Sequence, residues 1–100
     1  MIYELADFLV KAEDHAAFGE ALERAVNTVL SKANGYRTHQ VLGCRETPGR
    51  FVLLVGWDTV EDHMVGFRES AAFADWRAII GPFFARPPQV EHFDVVATFR

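Results

Sequence analysis

One hundred residues, half of them apolar, can close one hydrophobic core without disulfides or a structural metal, and they leave no room for a second domain, so residues 1–100 are read as a single unit. Ten Lys and Arg against 14 Asp and Glu give a formal charge of −4 with no basic cluster, which removes phosphate-backbone binding and hence nucleic acid. The lone Cys44 cannot form an internal disulfide, Met1-Ile2-Tyr3-Glu4-Leu5 lacks the features of a secretory signal, and the apolar run at 51–57 is far short of the roughly 20 residues that span a bilayer; a cytoplasmic protein without a membrane partner is expected.

Residues 2–10 are rich in β-formers and apolar on both alternating faces, interrupted by Glu4 and Asp7, and predict a first strand. Glu13 and Asp14 then place negative charge ahead of a segment in which Phe18, Leu22, Val26, Val29 and Ala33 recur at helical steps. That helix is expected to run to Asn34-Gly35, the pair that best tolerates a left-handed conformation. Residues 36–45 and 50–57 are two extended runs separated by Glu46-Thr47-Pro48-Gly49, so they predict an antiparallel hairpin. Thr59 with Asp62 has the spacing of a capping box, and Ser70 offers a second N-cap before Phe73, Trp76 and Ile80, giving two short helices over 59–80. Gly81-Pro82 ends them, and a last strand is expected from Gln89 to Phe99 after Pro87-Pro88.

The order β-α-β-β-α-β is that of an α+β, ferredoxin-like domain, with a four-stranded antiparallel sheet and its helices on one face. Phe51-Val52-Leu53-Leu54-Val55 shows no polar alternation, as expected of a strand covered on both sides. A second copy is the simplest cover for the other face, so a homodimer is expected.

Trp57-Asp58-Thr59-Val60-Glu61-Asp62-His63, then Phe67-Arg68-Glu69-Ser70, Phe73, Trp76 and Val90-Glu91-His92-Phe93, resemble the antibiotic biosynthesis monooxygenase family, and the resemblance covers essentially the whole chain. It implies a dimeric α+β barrel and a small aromatic, quinol or polyketide-like ligand. It further implies oxidation by dioxygen without a bound cofactor, although members also include haem-degrading enzymes and proteins of no established activity. The haem-degrading pattern of an Asn at the end of the first strand and a Trp and a His ten residues apart fails here, where Asp7, Phe67 and Arg77 stand in those places.

Oxygenation without a cofactor requires a base to deprotonate the substrate and a dry pocket for the intermediate. Among four histidines, His15 in the first helical turn suits a solvated surface role and His39 lies mid-strand. Helical spacing puts His63 on the face of Val60 and Phe67, as a base or as a partner of Asp62, Glu61 or a carbonyl. His92 shares a strand face with Val90 and Asp94, as a base oriented by the carboxylate or as an interface hydrogen bond. Of the 13 aromatic residues, Tyr36, Trp57, Phe67, Phe83 and Trp76 are the candidate walls of a cleft for a planar ligand, beside a simple core role for most of them. Arg68 and Arg77 could meet a ligand, with Glu69 and Asp75 as alternative partners, while a metal bound by His63, His92 and a carboxylate finds no recommending ligand spacing. The same residues also fit a binding protein without catalysis, or a cyclase or isomerase.

Overall fold

The computed structural model describes residues 1–99, which form a four-stranded antiparallel sheet with its helices on one face. In chain order the elements are β1 (Ile2–Leu9), α1 (His15–Thr28), β2 (Tyr36–Gly43), β3 (Arg50–Trp57), a π-helix at Asp62–Phe67, α2 (Ala71–Ile80) and β4 (Gln89–Phe93). Across the sheet the order is β2-β3-β1-β4, so the first strand is central and receives the last along its free edge. The register of β1 against β3 is Glu4 to Val55, Ala6 to Leu53 and Phe8 to Phe51; against β4 it is Glu4 to His92 and Ala6 to Val90.

Alternation along β1 decides what lies under the helices. Glu4, Ala6, Phe8 and, just beyond the strand, Val10 are buried on one face, while Tyr3, Leu5, Asp7 and Leu9 occupy the other. The buried row meets Leu53, Val55 and Trp57 of β3 and the inner stripe of α1, Phe18, Ala21, Leu22, Ala25 and Val26. Phe8 stacks on Phe84 at 5.1 Å and meets Phe18 edge-on at 5.7 Å, which ties the segment following α2 back to the centre of the core.

Several boundaries depart from the sequence expectation. The first helix ends at Thr28, after which Leu30–Lys32 form a single 3-10 turn; Val29 and Ala33 still pack on the core, so the apolar periodicity outlasts the helix. Of the Asn34-Gly35 pair it is Gly35 that takes the left-handed conformation, at φ +85°, where an added Cβ would run into the Asp62 side chain. The second strand stops at Gly43, and Cys44 lies beyond it, half-buried, accepting the backbone N–H of Thr47 at 3.4 Å. The last strand pairs only to Phe93, because the β1 partner it follows begins at Ile2, so residues 94–99 continue without a ladder. Thr59 completes half a capping box by accepting the Asp62 N–H at 3.1 Å, whereas the Ser70 hydroxyl donates back to the Phe67 carbonyl at 2.6 Å instead of capping α2.

Candidate functional site

Between the sheet and the π-helix–α2 segment lies a cavity of about 370 Å3, in the range of roughly 300–1,000 Å3 that receives small organic ligands. Ala6, Phe8, Leu53 and Val90 form its floor, Phe67, Phe73, Trp76, Ile80 and Phe84 its walls, and Glu4, His63, Arg68 and Arg77 its polar groups. The π-helix explains how His63, Phe67 and Arg68 meet. Its widened turn is closed by Arg68 N–H donating to the His63 carbonyl at 2.9 Å, five residues back. Residues four and five after His63 then bracket the same azimuth, whereas in an α-helix the fifth would be carried off that face. Phe67 and Arg68 consequently both border the space that His63 enters.

His63 and His92 come together, as neither of their separate sequence readings required. His63 Nδ1 and His92 Nε2 are 2.8 Å apart, and His63 Nε2 lies 3.4 Å from Glu4 Oε1. The same Glu4 oxygen accepts the indole N–H of Trp57 at 2.9 Å, and Trp57 stacks on His63 with ring centroids 5.2 Å apart. His63 therefore bonds neither Asp62 nor Glu61, and Asp94 makes no hydrogen bond to His92 among the described residues. The result is a line, Trp57 to Glu4 to His63 to His92, assembled from the ends of β3, β1, the π-helix and β4.

Glu4 is only 7% exposed and His63 only 4%. Burial pushes the Glu4 carboxyl up from 4.5 to about 7, against the smaller opposing effects of the Trp57 hydrogen bond and the charge of Arg68. Burial likewise drives the His63 imidazole down from 6.5 to about 4, with His92 and Arg68 acting in the same direction. Both shifts disfavour charge, so near neutral pH the 3.4 Å contact joins an uncharged imidazole to a carboxyl that is poised between its two states, and an ion pair does not describe it. Glu4 Oε1 is engaged by Trp57 and His63, while Oε2 has no hydrogen-bond partner among the described residues and is not sealed in the core. The linear arrangement also bears on metals: the donors do not converge, and no group of three or more His, Cys, Asp or Glu among the described residues could hold an ion.

Of the five aromatic candidates, Phe67 and Trp76 line the cavity. Trp57 is fully buried one layer behind it and reaches the site through Glu4. Tyr36 stands on β2 outside it, its hydroxyl 2.6 Å from His39 Nδ1. Phe83 lies outside the cavity lining, meeting Phe18 edge-on at 5.8 Å, and its neighbour Phe84, whose ring is 6.3 Å from that of Phe18, takes the wall position. His15 is not a solvated surface group either: its ring lies edge-on to Phe51 at 6.3 Å and its Nε2 is buried without a partner. Arg68 and Arg77 form no ion pair with Glu69 or Asp75 among the described residues, and both border the cavity. Asp7 is bonded by Arg50 at 2.8 Å on the opposite face of the sheet.

A family model described as antibiotic biosynthesis monooxygenase matches residues 1–79. The chain belongs to this family. An uncharacterized protein of Bacillus subtilis, YczJ, is 36% identical over 96 residues, which are 96% of this chain and all of that one. A solved structure of a family protein from Bordetella bronchiseptica superposes with a TM-score of 0.90 at 38% identity, covering 96% of this chain and 97% of the other. SnoaB, a cofactor-independent oxygenase from Streptomyces nogalater, shares the fold at a TM-score of 0.81 and 14% identity, over 97% of this chain and 94% of its own. The α+β, ferredoxin-like fold expected from the element order is thus that of the antibiotic biosynthesis monooxygenase family, and among the described residues no helix is long and apolar enough to cross a membrane.

Proposed function

We propose that the protein is a cofactor-independent monooxygenase acting on a small aromatic phenol or quinol, with Glu4 as the group that takes the substrate proton. The observation that carries this reading is the Glu4 carboxyl itself: buried on the cavity wall, brought to about 7, with Oε1 held by Trp57 and Oε2 left for a ligand. A base titrating near working pH combines a useful ionised fraction with adequate basicity. His63, driven down to about 4, is the weaker first acceptor and serves as the link through which a proton on Glu4 passes to His92. The fold is one on which the S. nogalater oxygenase works without a cofactor.

In the step envisaged, Glu4 removes the phenolic proton, and the resulting electron-rich ring carbon transfers electrons to dioxygen and bonds one oxygen atom. The peroxide so formed takes up a proton, loses the ring hydrogen and expels the distal oxygen as water. The phenol becomes a quinone, and one substrate plus one O2 yields one quinone and one H2O. Phe67, Trp76 and Phe84 keep that intermediate from bulk water.

The functional unit is a cytoplasmic homodimer. Supporting the dimer is the face of the sheet opposite the helices, where Leu5, Leu9, Val52 and Leu54 on the two central strands are joined by the exposed Leu42 and Phe93; the Asp7–Arg50 pair is set among them, and Thr38, Gln40, Gln89 and Glu91 on the edge strands supply the polar border.

The deciding experiment is oxygen uptake by metal-free protein over a panel of hydroquinones and polycyclic phenols, with Glu4→Gln, His63→Ala and His92→Ala beside it. Turnover with a loss of about 100-fold or more in Glu4→Gln is expected for a missing base. No uptake with any compound would sink the oxidative reading and leave the same base to a proton-transfer isomerase or the same cavity to a binding protein.

A further inference from the structure

Two arginines border a cavity whose only acidic lining group among the described residues is Glu4. The ion pairs among the described residues are Arg37 with Asp58 and Arg50 with Asp7; Arg68 and Arg77 are in neither of them, although Glu69 and Asp75 lie one and two residues away. Both arginines, exposed at the cavity rim, border it from its helical side, one just after the π-helix and the other in the last turn of α2. Arg68 is held in place, since its backbone N–H closes the π-turn and its guanidinium lies 5.3 Å from the centre of the Phe73 ring. Its charge is felt at both Glu4 and His63, which places it near the polar line as well as over the aromatic wall. Arg77 also suits the negative end of α2, but that interaction needs no approach to the cavity.

We propose that Arg68 and Arg77 form an anion-recognition pair, so that the ligand is a planar aromatic bearing a carboxylate beside its phenol and not a neutral quinol. The carboxylate oxygens accept from the two guanidiniums, the ring lies against Phe67, Phe73 and Trp76, and the hydroxyl is left to Glu4. Charged recognition at one end and apolar walls at the other fix the orientation of a small ligand that shape alone would leave free to turn over. The inference rests on the cavity being the ligand site, as the proposed oxygenase requires.

The test is calorimetric binding under nitrogen, where no turnover occurs, of 1-hydroxy-2-naphthoate and of 1-naphthol, which differ by the carboxylate alone. The naphthoate is expected to bind about 10- to 100-fold more tightly, the worth of one or two charge-assisted hydrogen bonds. Arg68→Gln and Arg77→Gln should each erase most of that preference while leaving 1-naphthol affinity within about twofold, and Arg37→Gln, whose charge is paired with Asp58 away from the cavity, should preserve it. Equal affinity for the two probes, or a preference that survives both cavity substitutions, overturns the proposal. Selectivity present with no oxygen uptake by any phenol would instead overturn the oxidative reading and leave the anion pair standing.

Discussion

Glu4 of β1 is registered directly opposite His92 of β4, and His63 reaches down from the π-helix to touch both. Two adjacent strands thus deliver an acid and an imidazole to one face at one level, and a helical residue joins them. A proton can move along this line without His63 becoming charged: when Glu4 donates to His63 Nε2, His63 Nδ1 can donate to His92 Nε2, and the charges that result are the Glu4 carboxylate and an imidazolium on the half-buried His92. Burial disfavours an imidazolium at His63, which favours passing the proton on to His92 over holding it at the middle of the line.

The two groups should leave opposite signatures in the pH dependence of stability. Glu4 has its folded value raised from 4.5 to about 7, so its contribution is fully present below 4.5 and is lost as pH rises to 7, a displacement worth about 3 kcal/mol. His63 has its folded value lowered from 6.5 to about 4, so its contribution is present above 6.5 and is lost as pH falls toward 4. Between 4.5 and 6.5 the slopes oppose one another and the wild-type curve should be nearly flat. Denaturant unfolding of Glu4→Gln should then show stability rising with pH through that interval, and His63→Asn should show it falling. Parallel curves for the three proteins would mean that neither group carries its shift into the folded state.

Much of this was written in the local sequence. Strand and hairpin positions followed from alternation and from the Pro48-Gly49 turn, and β3 occupies the predicted 50–57. What the sequence hid was mostly a matter of which side a residue faces at the end of an element. The apolar period carried on through Val29 and Ala33, so nothing local announced that the helix stops at Thr28. Phe83 and Phe84 are adjacent aromatics after a Gly-Pro break, where no period says which one looks inward.

Glu4 was missed for a different reason. It is the one acidic member of the row Glu4, Ala6, Phe8, Val10, and an acid on an otherwise apolar strand face was the available signal. Reading β1 as apolar on both faces obscured it. The meeting of His63 with His92 could not have been read at all, since it depends on the register of β4 against β1, set by residues more than eighty positions apart.

Phe83 and Phe84 both pack on the core, and of the two Phe84 also lines the cavity. Phe84 lines the cavity and stacks on Phe8, whereas Phe83 packs on Phe18 outside it. Phe83→Ala should lower stability by about 2–3 kcal/mol, less than a fully buried Phe because the ring is only half-buried, and leave the affinity for 1-hydroxy-2-naphthoate within about twofold. Phe84→Ala should cost a similar amount and also weaken that affinity by about tenfold, through lost wall contact. Thermal unfolding and calorimetric titration of the two variants check this pair of outcomes; the reverse pattern would place the ligand on the Phe83 side.

The outer face of the sheet makes the last prediction. Leu54 of β3 and Leu42 of β2 point away from the helices, with Leu42 51% exposed and Phe93 of β4 47% exposed on the same side. A folded monomer would keep that apolar surface in water, at an unfavourable cost of roughly 25 cal/mol for each Å2 that a second copy could cover. Light scattering at micromolar concentration should therefore give twice the mass of the 11.3 kDa chain. Leu54→Glu, which sets a charge at the centre of the face without touching the cavity, should shift the mass to that of one chain and lower thermal stability, because folding and association would no longer reinforce one another. A wild-type protein that is a well-folded monomer at this concentration would show instead that β3 tolerates water on its outer side and that the absence of polar alternation in 51–55 reflects packing within one subunit.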